Sequence, residues 1–565
     1  DPTTIYFSEI EEKINLLTEK NGLFDFMCMS YNFVIKNNLH KNIVKFINYD
    51  DLCDKPEKTL KLIYKFLKIP YYKHIFKSKK VIDVNGVFYE DAVLGAPLHE
   101  LRPGKIKIIK SKDIGIIGVG EGSTEHWKDF LNFLEIDPFE MIRECGATFK
   151  AGILFKDWVK KDYIHSVDDT FVRKNGQEVI SYIKLIHEKR NLFLDSLYES
   201  KIIKNSDYPY PNQFHFDTFK LNSYLDKISK KHKIKVINDI IDEVLLNSKG
   251  EIDYIKSNKN KYTGELFIDC TGFKKILINK VGGKWHSYKE YLKVNSAITF
   301  QTPEQKNYDM WTTAKAMKNG WIFKIPVQGR TGNGYIFSDK YTTATEAHKE
   351  IEKELGHKVN VVKNIKFEPG RLKEVWIKNC VAIGLSANFV EPLEATSIGT
   401  SIQQAYLLMH NLTDTNPNVI KKYNKQVVSI MDNIRDFIFL HYICKRKDTE
   451  FWKDVSKLKI PLSLEENLKL WKHRMPIDDD VQGSDYRLFW ANNFIQILYG
   501  LKLYDSDVVK KQFKSFSKKI NLGLNWFFDE ELSKINKNCD VVNHRDEITS
   551  ILISNPNLHE KNKIH

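Results

Sequence analysis

Two hydrophobic periods alternate along the chain and divide it. A period of two runs through Ala147–Phe155: Phe149, Ala151, Ile153 and Phe155 share one face and Thr148, Lys150, Gly152 and Leu154 the other, which predicts a strand. The same alternation returns at Lys105–Lys110, at Ala297–Thr302 and at Gly320–Pro326, where Trp321, Phe323 and Ile325 lie on one side. Val381–Leu385 is a short apolar run ending in small residues, as a buried parallel strand would be. Helical spacing follows at Ile398, Ile402, Ala405, Met409 and Leu412, with Thr396 or Ser397 placed to cap its start. It recurs at Ile420, Tyr423, Val427, Ile430 and Ile434. Phe219–Lys230 predicts a helix, with strands around Val236, Val244 and Ile252. Near the start, Val44–Ile47 predicts a strand and Pro56–Leu67 a helix with Leu60, Ile63 and Leu67 on one face. Strands interleaved with helices, then helices alone beyond Pro417, predict an α/β protein with a C-terminal helical region.

Composition narrows the class. With 565 residues, 42% of them apolar, the chain can build two or three domains around a large core. No apolar stretch is long enough to span a bilayer, so no membrane is expected. It opens on Asp1 rather than Met, so a start further upstream is expected. The formal charge of +14 comes from lysines spread along helical segments such as Lys510–Lys519, which reads as solvated surface, and no nucleic-acid partner is expected. Seven cysteines, never in C-x-x-C spacing, fit a reducing cytoplasm and predict neither a disulfide framework nor a metal site.

Candidate chemistry gathers in a few places. Glu394 sits beside the first turn of the Ile398 helix, where free backbone N–H groups favour an anion. Taken alone, that stretch is better read as a capped core helix with a dipole-compensating Glu. Gly118, Gly120 and Gly122 form a glycine turn, which alone is only a turn. Lys150 lies in a strand beside Gly152, and on its own is surface decoration.

The order of motifs decides between these readings. FVEPLEATSI at Phe389–Ile398 resembles the F-x-E-P-L-E-S-T-G-I stretch of the flavin-dependent tryptophan halogenase family. Family-like stretches precede it in order: GVGEGST at Gly118–Thr124, CGATFKAGILF at Cys145–Phe155, FHFD at Phe214–Asp217, FIDCTGF at Phe267–Phe273 and GWIFKIP at Gly320–Pro326. The resemblance spans about 106–502 and implies a flavin monooxygenase-like fold: a Rossmann-type FAD domain interleaved with a β-sheet substrate domain, at 105–415, and a helical substrate-pocket region at 416–565. It implies that reduced FAD, oxygen and a halide (chloride, bromide or iodide) yield hypohalous acid, which Lys150 relays to an electron-rich indole or phenol with help from Glu394. Implied FAD contacts are Gly118, Gly120, Glu121, Gly122, Ser123, Thr124, Asp269, Thr271, Gly272 and Leu385. Thr396 and Ser397 would hold the halide, and His165, Phe489, Trp490 and Phe494 the substrate. A separate flavin reductase and a homodimer are expected.

Three departures stand out. Val167 takes the place of the second aromatic in the segment around His165, Ser397 stands where the family has Gly, and no G-x-G-x-x-G turn precedes Gly118. Residues 1–104 resemble part of a sulfotransferase, through Asn48–Leu52 and His99–Pro103, without its phosphosulfate loop. A flavin monooxygenase that hydroxylates or epoxidises, and a non-catalytic fusion, are the competing expectations.

Overall fold

The alternating segments assemble into one seven-stranded sheet, in the order Val361–Lys366, Ser296–Thr302, Arg330–Phe337, Gly320–Val327, Trp311–Met317, Gly152–Lys156 and Tyr163–Ser166. Every neighbouring pair is antiparallel except Trp311–Met317 with Gly152–Lys156. Both faces of its central strand are buried. Trp321, Phe323 and Ile325 enter the main core, while Ile322 meets Ile298, Phe337 and Ile351 of the helix Ala344–Leu355. In the computed structural model the described residues are Lys61, Lys65, 106–111, 118, 120–167, 178–188, 201–204, 211, 213–412, 416–516, 520 and 540–554. The chain divides into Asp1–Glu100 and Leu101–His565, and the second unit is the one described. The elements expected at Val44–Ile47 and Pro56–Leu67 lie outside the described residues, apart from the helical Lys61 and Lys65.

Parallel pairs form the nucleotide-binding type of architecture. Lys107–Lys110 pairs with Lys235–Asn238, and Phe267–Asp269 with Cys380–Ala382. Loops at the carboxyl ends of such strands are where open α/β sheets bind ligands. The helix Thr218–Lys231 is started by Asp217, which accepts from the N–H groups of Phe219 and Lys220 and also binds Arg330.

The strand expected across Ala147–Phe155 breaks in the middle. Thr148–Lys150 joins a small sheet with Gln213–Phe216 and Glu121–Gly122, whereas Gly152–Lys156 belongs to the large one. At Ala151 the N–H donates to Met310 O (2.6 Å) and the carbonyl accepts from Val167 N (3.1 Å), so the chain crosses between sheets there. Phe149 and Ala151 consequently pack with Phe214 and Ile402 in a second core, apart from Ile153 and Phe155 in the first. Lys150 stands at the junction.

The helices differ from expectation in detail. Pro417–His441 buries Tyr423, Val427, Ile430 and Ile434 as its spacing predicts. In Thr396–Asn411 the buried residues include Thr396, Gly399, Thr400, Gln403, Gln404 and Leu407, while Ala405 is exposed. Neither Thr396 nor Ser397 caps it: the helix starts after Ala395 with no side-chain cap. Nor is the region beyond 416 helical throughout, because Asp540–Asn543 pairs with Lys201–Lys204 as an antiparallel strand. The helix His544–Ile553 then returns to the lysine strand, where buried His544 Nε2 accepts from Phe149 N–H at 3.0 Å.

Candidate active site

Lys150 is fully buried, and its Nζ donates to Ser123 O at 2.7 Å. Burial pushes its amine down to about 8, against the attraction of Glu394 and Glu121 that favours the ammonium. The space it occupies comes from Gly122, where an added Cβ would stand 2.9 Å from Nζ. Gly152, expected to make room for the lysine, instead admits the neighbouring strand: a Cβ there would meet His165 O at 2.8 Å. Glu121, beside Gly122, is raised to about 7 by burial among surrounding atoms, with Lys150 opposing the shift.

Glu394 arrives from 244 positions further along the sequence and is also buried. Its Oε2 accepts from His165 Nδ1 at 2.6 Å, and His441 Nε2 lies 3.2 Å from Oε1 without hydrogen-bond alignment. Burial alone would raise this carboxyl; the imidazoles of His165 and His441 pull it below the usual range, so it is ionised. Glu394 (φ 68°) and Ala395 (φ 56°) are both left-handed, a conformation that costs each side chain about 1–2 kcal/mol. This kink ends at the uncapped N–H groups of Thr396 and Ser397. Three residues earlier, buried Glu391 accepts from Trp321 Nε1 (3.0 Å) and Tyr442 OH (2.8 Å), and burial raises it to about 7 against those two bonds. The acid-bearing turn and the Trp321 strand are thereby tied together.

The other expected residues fall into groups. Gly118, Gly120 and Glu121–Thr124 form one wall; Ser123 exchanges hydrogen bonds with Phe214, and Thr124 Oγ1 is buried with no partner. Asp269, Thr271, Gly272 and Leu385 lie at the carboxyl ends of the parallel pair. Asp269 itself is spent on the protein, accepting from Thr271, Leu277, Ile278 and Ser386, so it holds this loop rather than presenting a free carboxylate. The unpaired Thr124 hydroxyl and the parallel strand ends suit a nucleotide cofactor, whereas a Cβ at Gly118, Gly120 or Gly122 would meet Glu121 and Thr218, Ile325, or Lys150 of the protein itself.

Phe489 is brought near His165, with ring centroids 6.4 Å apart, and stacks on Phe437 at 3.8 Å. Phe494 instead packs behind Phe437 and Trp471, and half-buried Trp490 carries Arg487 over its ring. Sequence reasoning missed His441, Asn493 and Phe437. His441 stands seven positions beyond Ile434 on the buried face of its helix, which is a legible signal. Asn493, whose Nδ2 is 3.0 Å from His165 Nε2, gave none.

The parallel strand pairs define an α/β fold of the nucleotide-binding type, and the chain buries an amine and an ionised acid within electrostatic reach of each other. A family model described as tryptophan halogenase matches residues 92–514, about three quarters of the chain. The chain belongs to the tryptophan halogenase family and is a flavin-dependent halogenase using FADH2 and a halide; members of this family work with a separate flavin reductase on aromatic substrates. A tryptophan 6-halogenase from Streptomyces toxytricini is 30% identical over 421 residues, covering 66% of this chain and 80% of the relative. A flavin-dependent halogenase from Xanthomonas campestris superposes with a TM-score of 0.67 at 27% identity, covering 79% of this chain and 92% of its own. The tryptophan C-6 flavin-dependent halogenase (chlorinase) of taromycin biosynthesis gives 0.70 at 24%, covering 80% and 94%, and bears on the fold alone. The sulfotransferase-like reading of residues 1–104 finds no support in these comparisons, and the family match begins inside that segment, at residue 92.

Proposed function

We propose that this chain halogenates an electron-rich indole or phenol, with Lys150 delivering the halogen and Glu394 taking the proton that the ring loses. The observation that carries this reading is the enclosed amine: Lys150 is fully buried, lowered to about 8, and within electrostatic reach of Glu394. When bound, reduced flavin would activate oxygen, and the oxygen would supply the oxidising equivalent that turns halide into hypohalous acid. Gly118, Gly120, Glu121, Gly122, Ser123 and Thr124 would hold its ring, and the Asp269–Gly272 loop and Leu385 its ribose side. The uncapped amides of Thr396 and Ser397 would hold the halide, and a Ser in place of the family's Gly makes bromide or iodide as suitable as chloride. A neutral amine at Lys150 binds or accepts electrophilic halogen, which an ammonium cannot do. Ionised Glu394 then accepts the arene proton. Trp321 and Phe323, anchored through Glu391, keep bulk between the flavin wall and the substrate side.

Several relatives are tryptophan halogenases by name. Val167 in place of an aromatic reduces stacking area beside His165 and favours a broader indole or phenol here. The reading assigns 105–415 to a core without the first βα glycine turn and 416–565 to the substrate pocket; the chain would act in the cytoplasm, as a homodimer. Residues before 92 keep only their sequence likeness to a sulfotransferase segment. The test supplies FAD, a flavin reductase, each halide in turn and a panel of arenes, and reads product mass. Halide-dependent mass gain is expected. Oxygen addition would make the chain a hydroxylating monooxygenase, and failure to take up FAD would leave it a non-catalytic module.

A further inference from the structure

We propose that Asn493 is a positioning residue that holds His165 as the neutral imidazole with its hydrogen on Nδ1, and so aims that hydrogen at Glu394 Oε2 and keeps Glu394 a carboxylate. The consequence for chemistry rests on the reading of Glu394 given above; the tautomer does not.

The hydrogen bonds here run in one direction only. Asn493 is the third residue of the helix Ala491–Gly500, and its Oδ1 accepts the backbone N–H of Trp490 at 2.7 Å. A carboxamide held by its oxygen turns its NH2 the other way. His165 Nε2 lies there, 3.0 Å from Nδ2, and must accept. The imidazole hydrogen is left on Nδ1, which donates to Glu394 Oε2 at 2.6 Å. Reversing the amide would set its NH2 against the Trp490 N–H, and an imidazolium would set Nε2–H against the Asn493 NH2. Either arrangement strands a donor among buried groups, which costs that group its desolvation without a compensating bond. His165, Asn493 and Glu394 are all buried, so water does not relieve the mismatch.

Two results follow. Both ring nitrogens of His165 are engaged by the protein, so it meets a substrate through its ring face and not through a polar atom. Glu394 receives a fixed N–H on Oε2 at 2.6 Å, and this bond helps to keep it ionised. Among the described residues, the other charged or titratable groups around Glu394 are Lys150, Tyr163 and His441, the last held neutral by burial. In the transfer step the ring's electrons form the carbon–halogen bond as the bond from the halogen to its carrier breaks, the electron pair staying with the carrier; the ring C–H bond then breaks, its pair restores aromaticity, and the proton passes to Glu394, whose oxygen not bonded to His165 is Oε1.

The experiment uses the full chain with 15N-labelled histidine, His165 being identified by the signals lost in His165→Gln. At pH 7 the wild-type protein is expected to give the two well-separated ring nitrogen shifts of a neutral Nδ1–H imidazole. Asn493→Asp replaces the donor with a second acceptor and is expected to move both shifts to imidazolium values. It should also cut product formed per flavin oxidised by up to about a hundredfold, the lower end of what general-base catalysis contributes. An Nε2–H tautomer or an imidazolium in the wild-type spectrum would overturn the proposal, as would unchanged His165 signals in a folded Asn493→Asp protein. The wild-type spectrum decides even where the variant does not fold. The expected tautomer in a protein that halogenates no arene would uphold Asn493's role and reject that of Glu394.

Discussion

Lys150 is the residue at which function and stability oppose one another. Its folded value of about 8 lies below the 10.5 of a free lysine. Between those values the unfolded chain binds the extra proton, so stability rises with pH through the window and is lowest below about 8. The shift corresponds to about 3 kcal/mol at neutral pH. Lys150→Met is therefore expected to abolish arene product, while hypohalous acid is still caught by a scavenger, and to raise stability at pH 7 by about 1–3 kcal/mol once the lost bond to Ser123 O is deducted. Urea melts at pH 7 and pH 10 check this: the variant's advantage shrinks at the higher pH. Retained product at the wild-type rate would contradict the relay.

At the scale of elements, the lysine strand is held from both ends of the chain. Ser123 and Gly122 meet Lys150 on one side, and the C-terminal helix reaches the backbone of Phe149 through His544 on the other. The second nitrogen of His544 lies 3.1 Å from Tyr308 O, so a neutral ring accepts at one end and donates at the other. His544→Ala leaves a buried N–H and a carbonyl without partners and opens a cavity; a loss of about 2–4 kcal/mol in urea unfolding is expected. A change below half a kilocalorie would mean that the helix does not brace the strand. The family match ends at residue 514, well before this helix, and nothing in the motif order pointed to it.

Over the whole molecule, burial keeps imidazoles neutral more often than it protonates acids. Among the described residues His126, His215, His286, His410, His441 and His544 are all shifted down, with burial the largest cause. Glu121 and Glu391, raised to about 7, act in the opposite sense. Below about 6.5 the unfolded chain takes up protons that these histidines refuse, so stability is lost as pH falls from 6.5 towards 4. Denaturation midpoints at pH 5 and pH 7 test it, and an equal or higher midpoint at pH 5 would refute it. The sequence alone carried what is local: the strand at Gly320–Val327, the helix Pro417–His441, and the motifs that named Lys150 and Glu394, because alternation, helical period and turn residues depend on near neighbours. Tertiary structure decided what depends on distant partners. It broke the Ala147–Phe155 alternation at Ala151, closed both nitrogens of His165 with Glu394 and Asn493, spent Asp269 on its own loop, and set Gly122 rather than Gly152 over the amine. Each outcome is a contact between segments far apart along the chain, and the period of a segment records which face is buried but not what it is buried against.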